Sequence, residues 1–140
     1  MAAKRCVSTL CATALALALV AAPAIAGWDP VRYADESTLG FLTVRSEDGE
    51  HWSTVWLVVL DDQLYIRLGS RAAARMNENT RAPIVSIRIA KEEFAEVEAI
   101  AVPEMAEAVA AAMAEKYSTD IFVRYLDHPL TVKLRPKQAP

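Results

Sequence analysis

The sequence is poor in the residue types on which several common functional motifs depend. Its 140 residues contain two cysteines, two histidines and four glycines. Both cysteines, Cys6 and Cys11, lie near the N-terminus, so the remainder of the chain can form no disulfide and has no thiol nucleophile. The histidines, His51 and His128, are far apart in sequence, which argues against a structural zinc site. With the histidines far apart and both cysteines near the N-terminus, we predict no metal site. The few glycines form no phosphate-binding loop and no dinucleotide motif.

An excess of positive charge is also absent. The chain has 15 Lys and Arg against 18 Asp and Glu, a net charge of −3 at pH 7. A protein that neutralises the phosphates of a nucleic acid needs a surplus of cations. We therefore expect no nucleic-acid partner.

Residues 1–26 have the layout of a secretory signal peptide. A basic start, Lys4-Arg5, precedes an apolar run over residues 7–22 and a small-residue site, Ala24-Ile25-Ala26. The alternative is a membrane anchor, but the run is alanine-rich, is interrupted by Pro23, and is shorter than the ~20 strongly apolar residues of a comfortable span. We expect cleavage after Ala26, which leaves residues 27–140 as a single periplasmic or secreted domain without a membrane segment.

Alternating apolar residues predict a mainly β protein with helices (α+β). One helix should begin near Ser70, and a longer one should follow Pro103, where Met105, Val109, Met113 and Tyr117 recur every four residues. Strands are predicted at residues 39–45, 51–60, 63–68, 83–90, 93–102 and 130–134, with a short capped segment at 121–126. Six antiparallel strands with a helix after the third and another before the last favour a small barrel over a βαβ sheet.

Two tight turns predict the strand registers. A two-residue loop at Asp48-Gly49 would pair Val44 with Ser53, Leu42 with Val55 and Phe41 with Trp56. A two-residue loop at Asp61-Asp62 would pair Val59 with Leu64, Leu57 with Ile66 and Val55 with Leu68. One face would then form the apolar core, made of Leu42, Val44, Val55, Leu57, Val59, Leu64, Ile66 and Leu68.

The opposite face would be aromatic and cationic. It would carry Phe41, Thr43, Arg45, Trp52, Thr54, Trp56, Tyr65 and Arg67, with Trp56 across from Arg67 and Trp52 across from Arg45. A surface that needs only solubility would not carry two tryptophans and a tyrosine, so we expect it to be covered. A second subunit, a planar ligand and the protein's own helices are the alternatives.

The strand-to-helix joint at residues 67–75 is the candidate anion site. Ser70 is a good helix N-cap, and the free N–H groups of the following turn, with Arg67, Arg71 and Arg75 nearby, could bind a phosphate. The alternative is that Ser70 only caps the helix and the arginines are solvated, and spacing alone favours it because N-caps are more common than phosphate sites.

The stretch "STVWLVVLDDQLYIRLGSRAAARMNENTRAPIVSI" resembles the central block of the split β-barrel flavin-binding proteins, the pyridoxamine 5'-phosphate oxidase-like and deazaflavin-dependent reductase-like group. The likeness covers residues 41–89 well and extends loosely to the C-terminal helix and strand. It implies a six-stranded split barrel that forms a homodimer, with FMN, or alternatively a deazaflavin, held at the subunit interface.

The resemblance also implies roles for individual residues. Ser70 and Arg71 would contact the cofactor phosphate, Arg67 would line the same site, and the strand segment Ser53, Thr54, Val55 and Trp56 would follow the ring edge. Three features depart from the family pattern: Ala72 and Ala74 replace lysines, Ser53 replaces an arginine, and Asn79-Thr80 replaces Asn-Pro.

Two hypotheses follow. The first is an exported FMN- or deazaflavin-dependent oxidoreductase, with no catalytic residue indicated by the sequence. The second is a non-catalytic secreted split-barrel dimer that binds another planar ligand such as haem, or serves as an interaction module. If Arg75 and Arg88 converge on Ser70 they would replace the missing lysines and favour the first; if they point elsewhere, the second gains support.

Overall fold

Six strands close into an antiparallel barrel in the computed structural model, which describes residues 27–117 and 130–138. The strands are β1 (Thr38–Arg45), β2 (Gly49–Leu60), β3 (Gln63–Leu68), β4 (Ile84–Ile89), β5 (Glu92–Ala101) and β6 (Leu130–Pro136); the helices are α1 (Ser70–Asn77) and α2 (Ala106–Lys116), with 3₁₀ turns at Pro30–Tyr33 and Pro103–Met105. The order around the barrel is β1-β2-β3-β6-β5-β4, and β4 pairs back with β1. The predicted fold class is confirmed. The predicted segment at 121–126 and the proposed signal peptide lie outside the described residues.

The β2–β3 hairpin has the predicted register. Val59 pairs with Leu64 and Leu57 with Ile66. Asp61 and Asp62 both have positive φ, 48° and 59°, as a two-residue hairpin loop of the type I′ geometry requires. The register therefore follows from the turn residues.

The predicted β1–β2 register is wrong. Arg45 pairs with Gly49, which leaves a three-residue loop, and Leu42 consequently lies opposite Trp52 instead of Val55. The reason is that only Gly49, at φ +72°, adopts the left-handed conformation, which suits a three-residue loop that ends in a bulge. The Asp48 carboxylate instead bonds the Arg45 Nε at 2.9 Å across this loop. This hydrogen bond, helped by Arg75, lowers the pKa of Asp48 to about 2.

The shift by three residues, an odd number, exchanges the two faces of β1. Phe41 and Thr43 are fully buried inside the barrel, not on the outer face as predicted, and Leu42 belongs to the outer face. Trp52 does not face Arg45. The predicted core of β2 and β3 is confirmed; the buried interior cluster is Tyr33, Leu39, Phe41, Val55, Leu57, Leu64, Ile66, Leu68, Val85, Ile87, Ile89, Phe94, Val97, Val132 and Leu134.

Helix α2 covers part of the outer face. Val109 and Met113 on this helix are fully buried against Val58 and Tyr65 of the barrel wall. One of the three alternatives for this face, coverage by the protein's own helices, is therefore realised around Tyr65. None of the helices in the described part of the chain is long and apolar enough to cross a membrane.

Two buried polar side chains fix the loops at the barrel ends. Asn79, which is 6% exposed, accepts hydrogen bonds from the N–H groups of Val44 and Arg81 and donates one to the carbonyl of Ile84. Tyr33 donates its hydroxyl proton to Glu92. Burial, reinforced by this bond, raises the pKa of Tyr33 to about 12.

Candidate functional site

A cavity of about 440 Å³ lies where β2, β3, the start of α1 and helix α2 meet. This volume falls within the ~300–1,000 Å³ of small-molecule pockets. Its lining residues are Thr38, Thr54, Val55, Trp56, Arg67, Gly69, Ser70, Arg71, Ala72 and Met113. The lining contains two arginines and no carboxylate, so an anionic ligand suits it.

The start of α1 supplies free backbone donors at this cavity. Gly69, not Ser70, is the N-cap residue, and no side chain caps the helix. The prediction that Ser70 is the N-cap is therefore wrong by one residue: Gly69 takes the extended cap conformation, and Ser70 is the first helical residue. The first turn closes when the Ala73 N–H bonds the Gly69 carbonyl at 2.9 Å. The N–H groups of Ser70 to Ala72 precede that bond and have no acceptor within the helix, which makes this end suitable for an anion.

Arg67 is the most unusual group of the cavity. The side chain is half-buried, and its Nε and Nη1 atoms are fully buried without any hydrogen-bond partner in the described structure. On the neighbouring strand, Thr131 pairs with Arg67, and its buried hydroxyl is also without a partner. Buried guanidinium groups are normally paired with carboxylates. Arg67 also lines the cavity, so this guanidinium is a candidate partner for an external anion.

Trp56 lines the cavity and is backed by a second aromatic ring. The Trp56 indole stacks on the Tyr117 ring, with centroids 4.9 Å apart and planes inclined by 20°. The Tyr117 hydroxyl lies 2.7 Å from the Ser37 carbonyl oxygen and 2.6 Å from that of Leu57.

The preceding residue strengthens this attachment. Lys116 donates through Nζ to the Leu57 carbonyl at 3.2 Å and to the Glu36 carbonyl. Burial lowers the pKa of the Lys116 amine. The end of α2 is thus tied to the strand that carries Trp56.

Six of the eight predicted site residues meet at the cavity: Thr54, Val55, Trp56, Arg67, Ser70 and Arg71. Ser53 and Arg75 do not line it. Ser53 pairs with Phe41 and so lies on the same inward face of the sheet. The Arg75 guanidinium instead lies 3.3 Å from the Asp48 carboxylate.

Arg88 also fails to reach Ser70. Its Nε bonds the Glu93 carboxylate at 2.8 Å, and its guanidinium lies 3.8 Å from the centre of the Trp52 ring. Neither Arg75 nor Arg88 therefore replaces the charge of the missing lysines. This is the outcome under which the second hypothesis, a non-catalytic split-barrel dimer, gains support.

Sequence reasoning missed four residues of the lining: Thr38, Gly69, Ala72 and Met113. The four-residue periodicity of α2 identified Met113 as buried, but no local signal indicated that α2 packs beside β2. Gly69 was visible as a break between strand and helix.

Comparisons with known proteins bear on the fold. No family model matches the sequence, and no curated protein matches it. Among solved structures, the haem storage protein HutZ of Vibrio cholerae is 22% identical, with 78% of this chain and 88% of that chain aligned and a TM-score of 0.59. An F420-H2-dependent reductase is 14% identical over 71% of this chain and 94% of its own, with a TM-score of 0.52. A protein solved as a domain-swapped dimer is 14% identical over 72% and 81%, with a TM-score of 0.54.

These likenesses and the closed six-stranded barrel give the chain the split β-barrel fold. The split-barrel fold that the resemblance implied is thereby confirmed. The aligned structures include a haem storage protein and an F420-H2-dependent reductase, so the fold alone does not choose between ligands.

Proposed function

We propose that the cavity binds a planar cofactor with an anionic group, of the flavin or deazaflavin class, and that the protein is an oxidoreductase that uses it. The observation that carries this proposal is the unpaired guanidinium of Arg67 beside the cavity. Two donor nitrogens of this side chain are buried without partners, and an unsatisfied buried donor costs about 1–3 kcal/mol in the free protein. A bound anion would recover part of that cost.

The residues present fit such a cofactor. Arg67 and Arg71 offer two positive charges, which balance the roughly −1.5 to −2 charge of a phosphate monoester at pH 7. The free N–H groups at the start of α1 add neutral donors. The cofactor would supply the hydride chemistry, whereas the protein would bind its anionic group, orient its ring and limit the access of water.

Haem is the second candidate. The observation in its favour is that Arg75 and Arg88 bond carboxylates elsewhere, so the site carries less charge than the lysine-rich pattern of the related oxidases. Two arginines could pair with the two carboxylates of a haem. Among the cavity-lining residues that the structure describes, Met113 is the one side chain of a type that ligates haem iron.

We also propose a homodimer in which the second subunit closes the open side of the cavity. Thr38 and Thr54 are exposed at the cavity, and one protein of the same fold is described as a domain-swapped dimer. Light scattering coupled to size exclusion should give twice the mass of the processed chain; a monomer at micromolar concentration would contradict this part.

Export stays a prediction as well, since it rests on residues 1–26. Expression of the full chain in a bacterium with two membranes, followed by N-terminal sequencing of the periplasmic fraction, should give Gly27 as the first residue. Recovery of Met1 in the cytoplasmic fraction alone would refute the signal peptide.

A ligand titration tests the cofactor. The full chain is expressed, the processed protein is purified, and FMN, F420 and hemin are titrated separately. We expect micromolar or tighter binding of a flavin or deazaflavin that weakens at least tenfold in Arg71→Ala. The matched control is Arg75→Ala, one turn further along α1, which should bind as the wild type does.

The three outcomes are distinct. Equal weakening by both substitutions would mean that only the general charge of α1 matters, and would contradict a site at Arg71. Binding of hemin without any flavin would favour the second candidate. Failure of every planar ligand would refute the proposed function.

A further inference from the structure

The side chain of Trp56 is placed to recognise the ring of the ligand. Trp56 lines the cavity, and one face of its indole is covered by Tyr117 at a centroid distance of 4.9 Å. Tyr117 is not among the cavity-lining residues. Among the described residues, the opposite face of the indole has no aromatic partner.

We propose that the aromatic ring of the ligand stacks on this face of Trp56, and that Tyr117 is a positioning residue that holds the indole in place. The inference rests on the proposed function and adds the group that selects an extended planar ring system. A three-layer stack of Tyr117, Trp56 and ligand would result. Stacking of a planar heterocycle on an aromatic side chain is typically a substantial contribution to binding.

The position of Tyr117 is fixed by contacts outside the cavity. Its hydroxyl lies within hydrogen-bond distance of the carbonyls of Ser37 and Leu57, and Lys116 reaches Leu57 as well. Leu57 follows Trp56 directly in β2. The indole and the ring behind it are thus anchored to the same strand, and a wall fixed before binding loses little conformational entropy when the ligand arrives.

The other aromatic residues of the outer face are engaged elsewhere. Tyr65 is buried in the cluster with Val109 and Met113 beneath α2. Trp52 lies under the Arg88 guanidinium and against Gly40, where an added Cβ would be 3.4 Å from the indole. Trp56 is the one aromatic side chain among the lining residues in the described ranges.

The test separates the ring from the anionic group by using FMN and riboflavin, which share a ring but differ by the phosphate. We expect Trp56→Leu to weaken both ligands by about tenfold, which equals ~1.4 kcal/mol, and Trp56→Phe to weaken them less. Arg71→Ala should weaken FMN and leave riboflavin unchanged. Trp52→Leu is the matched control on the same strand and should leave both affinities unchanged.

Tyr117 requires a readout that a general loss of stability would not produce. The flavin absorbance shift on binding, compared between wild type and Trp56→Phe, isolates the signal of stacking on Trp56. Tyr117→Phe keeps the ring but loses the hydroxyl contacts and should reduce this shift slightly, whereas Tyr117→Leu should reduce it more. The inhibition constant of inorganic phosphate against FMN should not change, because the anion subsite is intact.

The outcomes distinguish this inference from the proposed function. If FMN binding depends on Arg71 while Trp56→Leu and Trp52→Leu bind equally well, the stack is refuted and the cofactor site survives. If Tyr117→Leu leaves the absorbance shift unchanged, its positioning role is refuted. If neither flavin binds the wild type, the same comparison of Trp56→Leu with Trp52→Leu is made with hemin, and equal hemin binding by the two refutes the stack. If no planar ligand binds at all, both proposals fall together.

Discussion

Replacement of Arg67 by methionine should stabilise the protein while it destroys ligand binding. The Nε and Nη1 atoms of Arg67 are buried without hydrogen-bond partners, so the free protein bears an uncompensated desolvation cost at this position. Methionine has a similar length, is flexible and has no donor to satisfy. Its side chain can follow the same path between β3 and the cavity.

The size of the effect follows from the atoms involved. A buried donor left unsatisfied costs about 1–3 kcal/mol, and more when the group is charged. The third nitrogen, Nη2, is not among the buried unpaired atoms, so part of the charge remains solvated and the lower end of this range applies. We expect Arg67→Met to raise the free energy of unfolding by about 1–2 kcal/mol, a rise in Tm on the order of 5 °C.

The assay is urea unfolding followed by circular dichroism without added ligand, paired with a titration of the ligand that the wild type binds. The loss of a charge-assisted hydrogen bond, worth about 1.5–3 kcal/mol, should weaken binding by about 10- to 150-fold. Arg71→Met is the control, because Arg71 is exposed and its loss should change stability by less than ~0.5 kcal/mol. A decrease in stability of more than ~1 kcal/mol for Arg67→Met would refute the reasoning, since it would mean that the guanidinium stabilises the free fold.

Three further predictions concern stability. Asn79→Ala should lower the free energy of unfolding, measured in urea, by about 2–3 kcal/mol, because it leaves buried backbone groups without hydrogen-bond partners. Asn77→Ala, on the exposed end of α1, should change it little. An equal effect of the two substitutions would contradict the role of Asn79. The bond with Arg45 lowers the pKa of Asp48 to about 2, so the contribution of Asp48 to stability is present above pH 3.8 and is lost as the pH falls toward 2. Asp48→Asn should therefore flatten this part of an acid-unfolding curve. An unchanged curve would count against the ion pair. The pKa of Tyr33 rises to about 12, so the contribution of Tyr33 to stability is present below pH 10 and is lost as the pH rises from 10 to 12. Alkaline unfolding should therefore be less steep in Tyr33→Phe. Identical curves would show that Tyr33 is not the group responsible.

Turn chemistry decided which registers the sequence could predict. At Asp61-Asp62 both residues can adopt the left-handed conformation, so the two-residue loop was the correct interpretation. At Asp48-Gly49 the same logic failed because only Gly49 adopts the left-handed conformation, which suits a three-residue loop that ends in a bulge.

The candidate site survived this error because little of it comes from β1. Trp56, Arg67 and Arg71 belong to one continuous hairpin-to-helix segment, so alternation along the strands and the start of α1 suffice to bring them near each other. Met113 and Thr38 come from distant parts of the chain. Their positions depend on how α2 packs on the barrel, which no local pattern encodes.

The two halves of the site therefore have different structural origins. The proposed anion subsite comprises residues 67–71, within a single turn from strand to helix, and its geometry follows from the backbone of that turn. The proposed ring subsite also depends on Tyr117, which follows α2 and is attached to β2 through the carbonyl of Leu57. A change in the packing of α2 would move the wall behind Trp56 and leave the donors at Arg71 in place. The two proposals together predict that one planar ring can replace another while the anionic group is still bound in the same way, and the comparison of riboflavin with FMN measures the two contributions separately.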